Sequence, residues 1–95
     1  MEYDIIGMIV TSRAGRDKGR AFVVVGRAGD EQVLLVDGKL RLAAKPKRKK
    51  LKHIHVTNDR VEIAQELMRA GTADAFIRAK LRELGYDSSS NIKEG

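Results

Sequence analysis

Between Lys39 and Lys52 the sequence places eight cations, Lys39, Arg41, Lys45, Lys47, Arg48, Lys49, Lys50 and Lys52, in 14 residues without one acid. A cluster of one sign is suited to neutralising phosphates, because each contact releases condensed counterions from a polyanion. Pro46 is unsuited to a central strand or a helix interior, so Lys45 to Lys50 is expected as an exposed loop between a fourth and a fifth strand. A second candidate is Ser12-Arg13-Ala14-Gly15-Arg16-Asp17-Lys18-Gly19, whose glycines and cations offer backbone N–H groups and charge to a phosphate. It lacks the Gly-Lys-Ser/Thr ending and following helix of a phosphate-binding Walker loop. Arg13, Arg16, Lys18 and the adjoining Arg20 therefore join the cationic run, with His53 at its end, as candidate contacts to the phosphates of a polyanion, nucleic acid first.

Other chemistry is weaker. A solvated loop kept for solubility does not require one sign at this density. Lys45-Pro46-Lys47-Arg48-Lys49-Lys50 also satisfies a nuclear import pattern, whereas a membrane surface would call for interleaved aromatics or an amphipathic face. His53 and His55 share a strand face without a third ligand at metal spacing, so no metal or cofactor is expected. Ser12 with a histidine and an aspartate makes a triad on paper only, and no enzyme is expected. Phe22 lies in an alternating strand, which favours the core over base stacking.

The elements that must carry these residues are legible by pattern. Ile5 to Thr11, Ala21 to Val25 and Val33 to Val36 read as strands, with Phe22 and Val24 on one face and Val23 and Val25 on the other. Asp37-Gly38 suggests a type I′ hairpin into a fourth strand, Lys39 to Leu42, with Leu40 and Leu42 inward. Ile54 and Val56, alternating with His53, His55 and Thr57, form a fifth. Five short strands joined by tight turns suggest a closed or nearly closed barrel.

From Asn58 the apolar period becomes helical. Val61, Ala64, Leu67 and Met68 make one stripe, with Thr57 or Asn58 as N-cap and Gly71 as stop. A second helix is expected from about Ala73 to Leu84, with Thr72 as N-cap, Asp74 in the first turn, Gly85 as stop and a stripe of Phe76, Ile77, Leu81 and Leu84. Both are short, so a helical hairpin packed on itself or on the barrel is expected. The expected organisation is thus α+β: a barrel over 1–57 with a basic linker at 43–52, a two-helix extension over 58–86, and a disordered tail over 87–95.

Charge follows the same division. The chain has 95 residues and a net charge of +6. Residues 1–60 hold 14 basic and 7 acidic side chains, and residues 61–95 hold 5 and 6. This stretch has room for one small domain and excludes a multidomain enzyme within it. Without cysteine there is no disulfide framework, zinc–thiolate site or thiol catalysis. An acidic start before the first apolar residues, and no run near the roughly 18 needed to span a bilayer, suggest a cytoplasmic protein without a signal peptide or membrane partner.

Gly7-Met8-Ile9-Val10, then Gly15-Arg16-Asp17-Lys18-Gly19 and Ala21-Phe22-Val23-Val24-Val25, resemble a KOW motif. The continuation through Val33-Leu34-Leu35-Val36-Asp37-Gly38-Lys39, Pro46-Lys47 and Lys52-His53-Ile54 resembles KOW-domain large-subunit ribosomal proteins of archaea and eukaryotes. It resembles still more closely their small bacterial KOW-domain RNA-binding relatives. The resemblance covers roughly residues 4 to 57. It implies an SH3-like five-stranded barrel, RNA binding, ribosomal RNA as partner and a place in translation, and it implies nothing for the helices.

The leading expectation is a ribosome-associated module docking on structured RNA through one cationic face, made by the 12–19 loop and the 39–52 hairpin and linker, by phosphate contact and shape, because four aromatic residues leave little for base readout. The competing one is a protein-interaction adaptor of the transcription or translation machinery using the barrel or the helix pair. The helices also offer a dimerisation surface, and the sequence leaves the oligomeric state open.

Overall fold

The computed structural model describes residues 5–69 and 71–86, so the tail expected over 87–95 lies outside the described residues. The strands are β1 (Met8–Ser12), β2 (Ala21–Arg27), β3 (Gln32–Val36), β4 (Lys47–Lys50) and β5 (Ile54–Arg60). Two helices follow, α1 (Ala64–Leu67) and α2 (Ala73–Glu83). All strands pair antiparallel in one sheet of order β4-β3-β2-β1-β5, and the fold is α+β.

The sheet curls but carries no β4–β5 ladder. A flat five-stranded sheet would hold its two edges roughly 19 Å apart, four spacings of about 4.8 Å. Yet one 3-10 turn, Leu51–His53, carries the chain from β4 to β5. Three residues at about 2 Å each cannot cross a flat sheet, so the edges must approach at that end. Register shifts between Met8 and Val10 and between Val24 and Gly26 supply local bends.

Alternation puts apolar residues on both faces. Val10, Phe22, Val24, Val33, Leu35 and Ile54 form the concave core. Ile9, Val23 and Val36 face the other way, onto Val61, Ile63, Ile77 and Leu81. The helical segment therefore covers the outer face of the sheet. It ends in a capped turn: Gly85, at φ +86°, donates to the Arg82 carbonyl at 3.1 Å and Tyr86 to the Leu81 carbonyl at 2.7 Å. Tyr86 Oη also donates to Asp59 Oδ2, tying this end of α2 to β5.

Four local expectations are corrected. The fourth strand is Lys47–Lys50 and not Lys39 to Leu42, so the middle of the basic run is an edge strand and not a loop. Pro46 stands just before that strand, where a missing N–H is tolerated. Leu40 and Leu42 are exposed, not inward. The Asp37-Gly38 turn is not type I′, since no described residue other than glycine has positive φ. Asp37 Oδ1 instead accepts the Lys39 and Arg41 N–H groups, both at 2.8 Å, which satisfies donors a ladder would have used.

The helix expected from Asn58 is reduced to α1, whose four residues lie at 64–67. The chain from Asn58 to Arg60 continues β5 because pairing with β1 runs as far as Met8 opposite Arg60. Val61 and Ile63 are buried in the outer cluster, while Leu67 and Met68 of the expected stripe are exposed. The second helix lies where its period places it, with Ile77 and Leu81 buried and Leu84 exposed. Thr72 makes no capping bond to its backbone; its hydroxyl meets Glu66.

Candidate nucleic-acid interface

Two loops and one strand meet at one end of the curled sheet. The first loop, 13–20, joins β1 to β2 and is pinched shut by Ser12 N–H to the Arg20 carbonyl at 3.0 Å and Gly19 N–H to the Ser12 carbonyl at 2.8 Å. The second, 37–46, joins β3 to β4. Between the loops and β4 lies a cleft of about 390 Å³ that includes Arg16, Arg20, Arg41 and Lys47. A neighbouring hollow of about 330 Å³ includes Arg48, Lys50 and His53.

An aspartate organises each loop. Asp17 is largely buried and receives Lys49 Nζ at 3.0 Å, with Lys47 Nζ at 3.6 Å and Ser12 Oγ at 2.9 Å. Burial pushes its carboxyl up, but the bonds from Lys49 and Ser12 and the charges of Lys49 and Lys47 together hold it below the ordinary 3.8. Lys49 Nζ also donates to the Ala14 carbonyl at 3.0 Å, so this lysine fastens the first loop to β4.

Asp37 builds the second loop from main-chain donors and meets Arg20 at 3.4 Å. Helix α2 holds the same loop from outside. Arg78 Nη1 donates to the Gly38 carbonyl at 2.6 Å, and Asp74 Oδ1 accepts the Ala43 N–H at 2.7 Å. The neutral helical half thus positions cations it does not itself carry.

Strand β4 divides its charges by alternation. Lys47 and Lys49 stand opposite Leu35 and Val33 and share their concave side, where their stems cover the end of the core. Arg48 and Lys50 stand opposite Leu34 and Gln32 on the other side and are exposed. Inward lysines on an edge strand also discourage strand addition by another chain.

Of the expected contacts, Arg13, Arg16, Lys18, Lys39, Arg41, Lys45, Arg48, Lys50 and Lys52 are exposed. Lys47, Lys49 and Arg20 are instead half-buried and paired with aspartates. His53 is half-buried, and its carbonyl accepts the Arg13 N–H at 2.7 Å. Phe22 is in the core at 1% exposure, and only the floor of the cleft reaches it. Among the described residues, no three or more His, Cys, Asp or Glu gather as a metal site, and no helix is long and apolar enough to cross a membrane.

The sequence alone did not single out Asp17, Asp37, Asp74 and Arg78 as positioning residues. Asp17 was legible as the one acid inside a basic loop; Asp74 and Arg78 reach across 31 and 40 residues, a relation without local signature. No family model matches the chain, and no curated protein matches it.

Proposed function

We propose that this chain is an RNA-binding module, an SH3-like barrel of the KOW type that docks on structured RNA, ribosomal RNA first, as part of or in association with the ribosome. The observation that carries this is the convergence of two basic segments, separate in sequence, on one end of the sheet around the cleft. The strand order and the three-residue crossing between β4 and β5 support the barrel.

Affinity comes from Arg13, Arg16, Lys18, Arg48, Lys50 and Lys52, exposed cations that reach phosphates while the paired lysines beneath them keep the loops rigid. Recognition is mainly of backbone shape, since an A-form helix offers little base edge to side chains of this kind. The adaptor alternative is less favoured, because α2 buries Ile77 and Leu81, the middle of its apolar stripe, against its own sheet.

The test is the triple variant Arg16→Gln, Arg48→Gln and Lys50→Gln against a structured ribosomal RNA fragment over a range of salt. Loss of three phosphate contacts lowers the slope of log K on log salt by about 2 to 3. Unchanged affinity and slope would sink the proposal.

A further inference from the structure

We propose that the cleft between the two loops holds one unstacked nucleobase of the bound RNA, an inference that rests on the RNA reading above and makes part of that interface specific. The cleft, at about 390 Å³, is in the range of small-ligand sites, roughly 300 to 1,000 Å³. Its lining combines apolar and cationic groups, Leu40 and Phe22 with Arg16, Arg41 and Lys47. A phosphate alone would have no use for the apolar part.

Leu40 makes the case sharper. It is 67% exposed, yet it sits on a loop fixed by Asp37 and α2, so a large apolar side chain is held out in water beside a cleft. A flat base covers such a side chain on one face. On the other, the guanidinium planes of Arg16 or Arg41 stack on a base as aromatic rings do in other RNA sites. Asp37, its Oδ2 facing Arg20 at 3.4 Å, retains lone-pair capacity for an N–H on the base edge. The same exposed arginines then lie where the phosphates flanking an extruded nucleotide would pass. With Phe22 in the core, Leu40 supplies the exposed apolar surface of this cleft on which a base can leave water.

The experiment compares three RNA hairpins of one stem sequence by fluorescence anisotropy at fixed salt: fully paired, with a single unpaired nucleotide, and with an abasic residue at that position. The hairpin with the unpaired base binds about tenfold more tightly than the other two. Leu40→Ala, a change at an exposed side chain, removes most of that advantage and leaves affinity for the paired hairpin as it was. Equal affinity for all three hairpins, or an advantage that survives Leu40→Ala, overturns the base site while leaving phosphate docking in place. Failure of every hairpin to bind in a salt-dependent way overturns the RNA reading beneath it.

Discussion

The two loops that wall the cleft are built on the same plan, one buried or largely buried aspartate each, but they are secured in opposite ways. Asp17 holds the first loop through charged side chains, chiefly Lys49 of the neighbouring strand. Asp37 holds the second through main-chain N–H groups, and Asp74 and Arg78 of α2 clamp it from behind. The first loop therefore answers to pH and to the charge on β4. The second answers to the packing of a helix far along the chain.

Breaking the helix side has the largest expected effect. Ile77 is fully buried between α2 and the outer face of the sheet, and Ile77→Ala is predicted to cost about 2 to 5 kcal/mol in chemical denaturation, from lost transfer energy plus a cavity. Local opening should then appear first at the Ala43 amide, which Asp74 protects, while the Ser12 and Gly19 amides keep their exchange protection. Equal loss of protection in both loops would refute their separate anchoring.

Gly38 tests the same clamp from the loop side. Its φ is +80°, and a Cβ there would collide with the Asp74 carbonyl, part of the helix backbone that cannot swing aside. Gly38→Ala is predicted to cost about 1 to 3 kcal/mol from left-handed strain and the displaced helix, read as a lowered denaturation midpoint.

For the first loop, Asp17→Asn leaves the Lys49 ammonium, 10% exposed, without its counter-charge. The expected cost is about 1 to 3 kcal/mol. Because the folded carboxyl titrates below its ordinary 3.8, its contribution is fully present above that value and is lost as pH falls through the folded pKa. The stability difference between wild type and Asp17→Asn should thus be constant near neutrality and shrink on acidification below about pH 4. A difference that grows on acidification would contradict the ion-pair anchoring.

What the sequence made legible divides along the same line. Strand alternation placed Phe22 and Val24 apart from Val23 and Val25, and the structure puts these pairs in separate clusters. The period of α2 was equally readable, because Ile77 and Leu81 bury one face of a regular helix. The basic run was misplaced for a physical reason. Charge density argues against burial, but an edge strand exposes one flank and alternate side chains, so four consecutive cations fit there with two stems over the core. The cationic segments were visible as composition and were expected to share one face; the cleft between them was not, since it depends on how far the sheet curls and on the clamp from α2.

The smallest and most discriminating effect comes from neighbours in β4. Lys49 and Lys50 have the same chemistry and adjoin in sequence, yet one is bound to Asp17 and Ala14 and the other is exposed on the opposite flank. Lys50→Gln should change stability by less than about 0.5 kcal/mol, as substitutions at exposed sites do. It should also lower the slope of log K on log salt for RNA by about 1. Lys49→Gln should do the reverse, with most of its cost in the denaturation curve, because its ammonium already has an acidic partner and has little charge left to give a phosphate. Binding that weakens equally for both would mean that the RNA competes Lys49 away from Asp17. The two loops would then be one responsive unit rather than two separately anchored walls.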